Sequence, residues 1–358
     1  MIVNEKPYLS IIVTTRNDNH GGDLIARTTS FINGIYRQLS RFDFTAELIF
    51  VEWNPSKDKP LLKDVLPPLP QGMKNLTVRY IIVPESVHRL YSFSDRMPLF
   101  QMTAKNVGIK RACAEFILCT NIDLLFSDEL IQFISERKFQ IGKYYRANRC
   151  DVPKEVMNIS NFNEQIQFCK KNIIKRLGKT RGHEFLFGLP SFFYSFRISM
   201  KLFNAVVKRI IEIPKLKNKY YTWSIDTAAC GDFTLMAKSD WEKIEGYPEM
   251  DLYSIHIDSM ALIAATALKI EQVILPPEMC SFHIYHEDGW ESFASNPVAL
   301  VKFMEKRPGL DWYTVNETGK WLLKNNRGWG LNKKDWGFTN EKFKEYIFEP
   351  DKIIQEIN

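Results

Sequence analysis

Residues 100–126, FQMTAKNVGIKRACAEFILCTNIDLLF, decide the fold. Phe100 to Cys113 reads as an amphipathic helix, and Glu115 to Thr120 as an apolar strand ending in Asn121-Ile122-Asp123. Upstream, Leu9 to Val13 is a short β-rich run that ends in Thr14-Thr15-Arg16-Asn17-Asp18 and then Gly21-Gly22. From Leu24 to Leu39 apolar residues return at helical spacing, and strands follow at Glu47 to Trp53 and Val78 to Val83. This alternation predicts an α/β chain with a mostly parallel, doubly wound sheet flanked by helices. In such sheets ligands bind beyond the carboxyl ends of the strands. Here those ends are Thr14 to Asp18, Glu52 to Asn54 and Thr120 to Asp123.

The rest of the chain is less regular. Residues 151–221 form a Lys/Arg- and Phe-rich stretch that predicts a helical insertion, followed by a strand at Thr234 to Met236, a helix beginning near Asp258 and a strand at Gln272 to Leu275. Three units are expected: a ligand-binding half over 1–125, a second-substrate half over 126–295, and a Trp- and Asn-rich tail over 296–358 that packs on the core.

Composition supports an ordinary globular protein of 358 residues, 45% hydrophobic and 25% charged. Its 48 basic and 42 acidic residues leave a net charge of +6, diffusely spread. No basic helix with interleaved base-reading residues is present, so no nucleic-acid partner is expected. The six cysteines show no CxxC pair, which predicts reduced, mostly buried thiols. The N-terminus lacks a basic region leading into an apolar one, and the apolar stretch Phe185 to Phe203 is broken by Gly188, Pro190, Arg197 and Lys201. A cytoplasmic protein without a membrane span is the expectation.

Asp123, just past a buried strand, is rigidly presented beside the crevice and offers hard oxygen ligands for a divalent cation. The alternative is a turn or a cap on the next helix. The loop Thr14-Thr15-Arg16-Asn17, the helix Ala104-Lys105-Asn106-Val107-Gly108 and the turn Asn121-Ile122-Asp123 together resemble the nucleotide-sugar half of GT-A glycosyltransferases, where the turn is the DxD motif. Further on, Gly231-Asp232-Phe233-Thr234-Leu235-Met236, Trp241 and Ile244-Glu245-Gly246-Tyr247-Pro248 resemble the segment before the acceptor-side helix of galactosyltransferase-like members.

The resemblance implies a metal-assisted, inverting glycosyltransferase. It would move a sugar from a nucleotide-sugar donor, a UDP-sugar, to a glycan or lipid-linked saccharide acceptor. Asp123 matches the last Asp of DxD, whereas Asn121 is neutral at the first position. One negative charge fewer implies a weakly held Mn²⁺ or Mg²⁺, bound mainly with the nucleotide. The further metal ligand is implied to be His283 or His286. If their run is extended, its period of two turns the rings to opposite faces, so only one reaches the metal unless the chain turns between them. His286, nearer the Glu-Asp-Gly loop, is favoured.

Asp258 stands where the general base of inverting members is placed, although Asp is equally a favoured helix N-cap. Asp232 and Glu249 are its rivals. For the donor, Thr15, Arg16 and Glu52 lie where base and ribose would be read, Lys105 would face the diphosphate, and Asn121 would meet a ribose hydroxyl or metal-bound water. Each is alternatively a solvated polar group at a strand or helix end. Trp53, Trp241 and Trp290 can stack on sugars, Trp241 being more in keeping with the core. The stretch Lys170, Lys171, Lys175, Arg176, Lys179 and Arg181 with the aromatics after it reads as a helical insertion, with peripheral contact to the inner membrane face as the alternative. Two other functions stay open: a catalytically inactive, glycan-binding module of the same fold, and a nucleotidyltransferase, whose Gly-rich phosphate loop is missing here.

Overall fold

Strands as apolar as these need cover on both faces, and they receive it. The computed structural model describes residues 6–67, 75–178, 221–286, 302–303, 305–348 and 355–357. Its strands are β1 (Leu9–Thr15), β2 (Ala46–Trp53), β3 (Leu76–Val83), β4 (Phe116–Cys119), β5 (Leu124–Phe126), β6 (Lys143–Arg146), β7 (Asn148–Val152), β8 (Lys175–Leu177), β9 (Thr234–Ala237), β10 (Glu271–Ile274), β11 (Cys280–Ile284), β12 (Lys344–Phe348) and β13 (Gln355–Ile357). The principal helices are α1 (Leu24–Phe42), α2 (Gln101–Arg111), α3 (Asp128–Ser135), α4 (Phe162–Lys171), α5 (Lys238–Lys243), α6 (Ile257–Ala267) and α7 (Trp312–Asn325).

A nine-stranded sheet runs in the order β10-β6-β9-β4-β1-β2-β3-β12-β13. Its centre is parallel: β1 pairs with β4 and β2, and β2 with β3. Parallel character is lost toward the edges, where β9 runs antiparallel to both β4 and β6, and β12 antiparallel to β3. The sheet is therefore parallel at its centre, as expected, and mixed toward its edges. The two halves expected from the sequence share this one sheet, and the tail adds β12 to it. A second sheet, in the order β5-β11-β7-β8, carries β11 against β5 and β7.

Every residue of β1 and β2 is buried. Strand alternation sends Ile12, Ile49 and Val51 to one face, under α2 and α6, and Leu9, Ile11 and Val13 to the other, under α1 and α3. Gly108 lets α2 lie directly on β1, since a Cβ there would come within 2.5 Å of Ile12 Cγ2. Asn106, two residues before Gly108 on α2, links two motifs. Its amide accepts from Tyr247 N–H at 2.8 Å and donates to Tyr247 O at 2.8 Å, tying α2 to the Gly246-Tyr247-Pro248 turn.

The described part of the stretch 151–221, chiefly residues 151–178, is not helical throughout. It contains the end of β7, a 3₁₀ turn at Lys154–Asn158, α4 and β8. The expected insertion beyond residue 178, with Lys179, Arg181 and the aromatics that follow, and also Trp290, lie outside the described residues. Five of the six thiols are buried, Cys113 being exposed. Among the described residues no helix is long and apolar enough to cross a membrane.

Candidate functional site

The chain passes from β1 through α1 to β2 on one side, then returns through α2 to β4 on the other side of β1. A crevice at such a switch point is the expected binding place, and a cavity of about 660 Å³ opens there. Thr14, Thr15, Arg16, Asn121, Asp123 and Asp258 all line it.

Asp123 leaves β4 into the crevice and is only 8% exposed. Ser127, not Asp123, caps the following helix, its Oγ accepting from Leu130 N–H at 3.2 Å. His286 Nε2 lies 3.2 Å from Asp123 Oδ2 and His283 Nε2 3.6 Å from it. Both rings thus reach the same carboxylate, although two residues lie between them. β11 ends at Ile284, so strand alternation no longer governs His286. Both rings meeting Asp123 is the exception expected where the run does not stay extended as far as His286.

One donor atom from each of Asp123, His283 and His286 lies within 4.8 Å of the others. Asp123 Oδ1 and His286 Nδ1 are buried and have no hydrogen-bond partner among the described residues. Behind the cluster, His283 Nδ1 sits 3.0 Å from Asp151 Oδ1, a carboxylate that fixes the ring's orientation as second carboxylates do behind metal-binding histidines. Burial would lower the His283 ring, but the Asp123 and Asp151 carboxylates push it up to about 9. Burial would likewise raise the Asp123 carboxyl, yet the two histidines hold it well below the usual carboxylate range. The donor set, one hard oxygen and two imidazoles, fits a divalent cation.

A buried guanidinium completes the surroundings. Arg27 Nη1 contacts Asp123 Oδ2 at 3.1 Å, while Nε and Nη2 donate to Gly22 O at 3.0 and 2.8 Å and Nη2 also to His20 O. Sequence reading passed over Arg27 because it lies on a helix face, far from any motif. Gly21 is needed where this loop meets the cluster: its φ is +72°, and a Cβ would stand 2.7 Å from His286 Nδ1.

The expected donor residues divide. Thr14 and Thr15 bring buried hydroxyls that have no partner among the described residues. Arg16 also lies in the crevice, held by Asn54 O at 2.7 Å and Asp18 at 3.2 Å. Asn121 lines the crevice with its amide bound to Gln101, Lys105 and Asp232. Glu52 does not reach the crevice: it is fully buried, and both carboxylate oxygens accept from Leu62 N–H, at 3.1 and 2.9 Å. Burial pushes it up to about 7. Lys105 lies beneath the crevice floor rather than facing it, with Nζ donating to Gly231 O at 2.7 Å and Asn121 Oδ1 at 3.2 Å. Its burial lowers its pKa.

Asp258, which also lines the crevice, occupies the first turn of α6, whose N-cap position is held by His256. Asp258 therefore is not the cap. Its Oδ1 accepts from Ser259 N–H at 2.8 Å, and the start of the helix favours its negative charge. Glu249 lies away from the crevice, bound to Asn106 at 3.0 Å and Gly337 N–H at 2.8 Å, which removes it as a rival. Asp232 lines the crevice with its oxygens bound to Asn121 and Arg149. His256 adopts a left-handed φ of 63°, an uncommon conformation for a non-glycine residue, at the crevice edge.

Trp53 and Trp241 are fully buried in the core and take no part in the crevice. Among the described tryptophans it is Trp312 that lines the crevice, 38% exposed, with its ring 5.0 Å from that of His256. It begins α7 in the tail, a region the sequence marked only as packing.

No protein-family model matches the chain, and no curated protein matches it by sequence. Similar solved structures include crystal structures of S. aureus TarS 1-349, of the same in complex with UDP, and of the same in complex with UDP-GlcNAc. Identity is 14%, 14% and 12%, TM-scores are 0.39, 0.39 and 0.40, and the matches cover 89% of this chain and 71%, 70% and 71% of those. At that TM-score the likeness bears no weight.

Proposed function

We propose that this protein is a GT-A-type glycosyltransferase that moves a sugar from a nucleotide-sugar donor, a UDP-sugar, to a glycan or lipid-linked saccharide acceptor with inversion. One observation carries the reading: the Asp123, His283 and His286 cluster faces the same crevice as Asp258. A site for a cation and a carboxylate at a helix start thus line one cavity.

Asp123, His283 and His286 would hold Mn²⁺ or Mg²⁺, the two imidazoles favouring Mn²⁺. The ion, when bound, supplies Lewis-acid neutralisation of the departing diphosphate. Arg27 already neutralises part of the Asp123 charge, so metal affinity is low until phosphate oxygens join. Thr14, Thr15 and Arg16 bind the donor from the β1 end. Asp258 takes the proton of the attacking acceptor hydroxyl, and Trp312 offers an apolar face for an acceptor ring. Thr14, Thr15, Arg16 and Asp123 serve the donor from the first half of the chain, His283 and His286 join them from the second, and Asp258 and Trp312 serve the acceptor. The reaction belongs in the cytoplasm, at the inner membrane face where the acceptor is lipid-linked.

The test is release of UDP from a panel of UDP-sugars with and without Mn²⁺, for the native protein and Asp258→Asn. Loss of a general base is expected to lower turnover by about 10²- to 10⁴-fold while leaving UDP affinity unchanged. Unchanged turnover removes Asp258 from the reaction. Absence of turnover with every sugar and metal favours the inactive, glycan-binding module.

A further inference from the structure

Asn121 stands at the floor of the crevice with three neighbours that dictate its chemistry. Its Oδ1 accepts from Gln101 Nε2 at 2.9 Å and Lys105 Nζ at 3.2 Å, while its Nδ2 donates to Asp232 Oδ1 at 2.6 Å. Turning the amide over would set a donor against Lys105 and an acceptor against a carboxylate, so one orientation alone satisfies all three. A carboxylate at 121 would meet the Asp232 carboxylate at hydrogen-bond distance.

Asp232 is held from its other side as well. Arg149 Nη1 contacts Asp232 Oδ2 at 3.2 Å, and Arg149 Nε contacts Asp151 Oδ1 at 2.7 Å. Asp151 in turn orients His283. Thr120 Oγ1 donates to the Asp232 backbone oxygen at 2.7 Å, fastening the end of β4 to the start of β9. Asp232 thereby grips both arms of the candidate cation site: the turn that carries Asp123, through Asn121, and the His283 ring, through Arg149 and Asp151.

We propose that Asp232 is a positioning residue of the donor site, carrying the negative charge absent at position 121 and holding Asn121 and Arg149 in the register that cation-dependent nucleotide binding needs. The inference rests on the donor-site reading above. It makes the acid and the amide exchangeable: Asn121→Asp combined with Asp232→Asn keeps one carboxylate and one amide in the pair. Lys105 and Gln101 then meet an acceptor, the pair keeps a donor between its members, and Arg149 keeps an oxygen.

The experiment is calorimetric titration of UDP in the presence of Mn²⁺ into the native protein, Asn121→Asp, Asp232→Asn and the double variant, with Tm of each. Each single substitution is expected to weaken Mn²⁺-dependent UDP binding by about tenfold or more, and the double variant to return within about threefold of native, the signature of two directly coupled sites. Singles that bind UDP normally overturn the proposal, as does a folded double variant that binds no better than the weaker single. Recovery of Tm without recovery of UDP binding reduces Asp232 to a structural role and also overturns it. Should the native protein bind no UDP, the donor-site reading itself fails and this inference falls with it. Arg149→Gln provides a second line that leaves Asn121 and Asp232 paired: weaker Mn²⁺ binding at unchanged Tm is expected, and native Mn²⁺ affinity contradicts the Arg149 arm.

Discussion

Asp123 and Glu52 are both acids at the carboxyl ends of central strands, yet the fold gives them opposite environments. Asp123 follows β4, opens onto the switch-point crevice, and is surrounded by Arg27, His283 and His286. Glu52 ends β2 on the far side of β1, roofed by the chain at Leu62, and has no ion pair among the described residues. Burial raises the pKa of one, whereas neighbouring cationic groups outweigh burial at the other. A strand-end acid becomes a candidate ligand when the chain diverges beside it and cationic partners gather, not by its place on a strand alone.

The largest separation of the two is expected in ligand binding. Asp123→Ala should weaken Mn²⁺-dependent UDP binding by at least about 100-fold in calorimetry, more than the 10- to 100-fold typical of outer-shell changes. Glu52→Gln should leave it within twofold, about the reach of a residue that touches nothing in the crevice; a comparable loss from both would erase the distinction. The next effect sharpens the Glu52 side. Because its folded value is raised from 4.5 to about 7, its stabilising proton is fully held below pH 4.5 and lost as pH rises through 7. Native protein should therefore lose up to about 3 kcal/mol relative to Glu52→Gln between pH 4.5 and 8 in chemical denaturation. Parallel profiles would show that the buried carboxyl is ionised throughout.

Smaller changes probe the support of the Asp123 side. Asp151→Asn, which weakens the hold on His283, is expected to cost about tenfold in Mn²⁺ affinity, with Tm nearly unchanged. Gly21→Ala forces a side chain onto the His286 ring in a left-handed conformation, and about 1 to 2 kcal/mol of stability should be lost. A native-like Tm for that variant would mean that the loop carrying Gly21 yields freely.

Much of the sheet was legible because its central strands are continuous apolar runs between helical periods, a pattern that dictates two covered faces. Antiparallel edges were not, since β9 and β12 are short and nothing in four or five residues declares direction. In the site, Asp123 and Asp258 were legible from their places after a strand and at a helix start. Lys105 was misplaced because a helix face does not reveal whether a long side chain rises into the crevice or reaches beneath its floor. Arg27, Asp151 and Trp312 come from a helix face, a second sheet and the tail, and only tertiary folding brings them together. The pairing of Asn121 with Asp232 lies between residues far apart in sequence, so the neutral residue reads as a defect until its partner is seen.

The most direct test of the cation site is crystallographic: crystals of the native protein soaked with Mn²⁺ and UDP, with data collected at the manganese absorption edge. The expected result is one anomalous peak bonded at about 2 to 2.5 Å to Asp123, His283 and His286 and shared with the diphosphate. A nucleotide held in the crevice without that peak, its phosphates on Arg16 and Arg27 instead, would contradict the account.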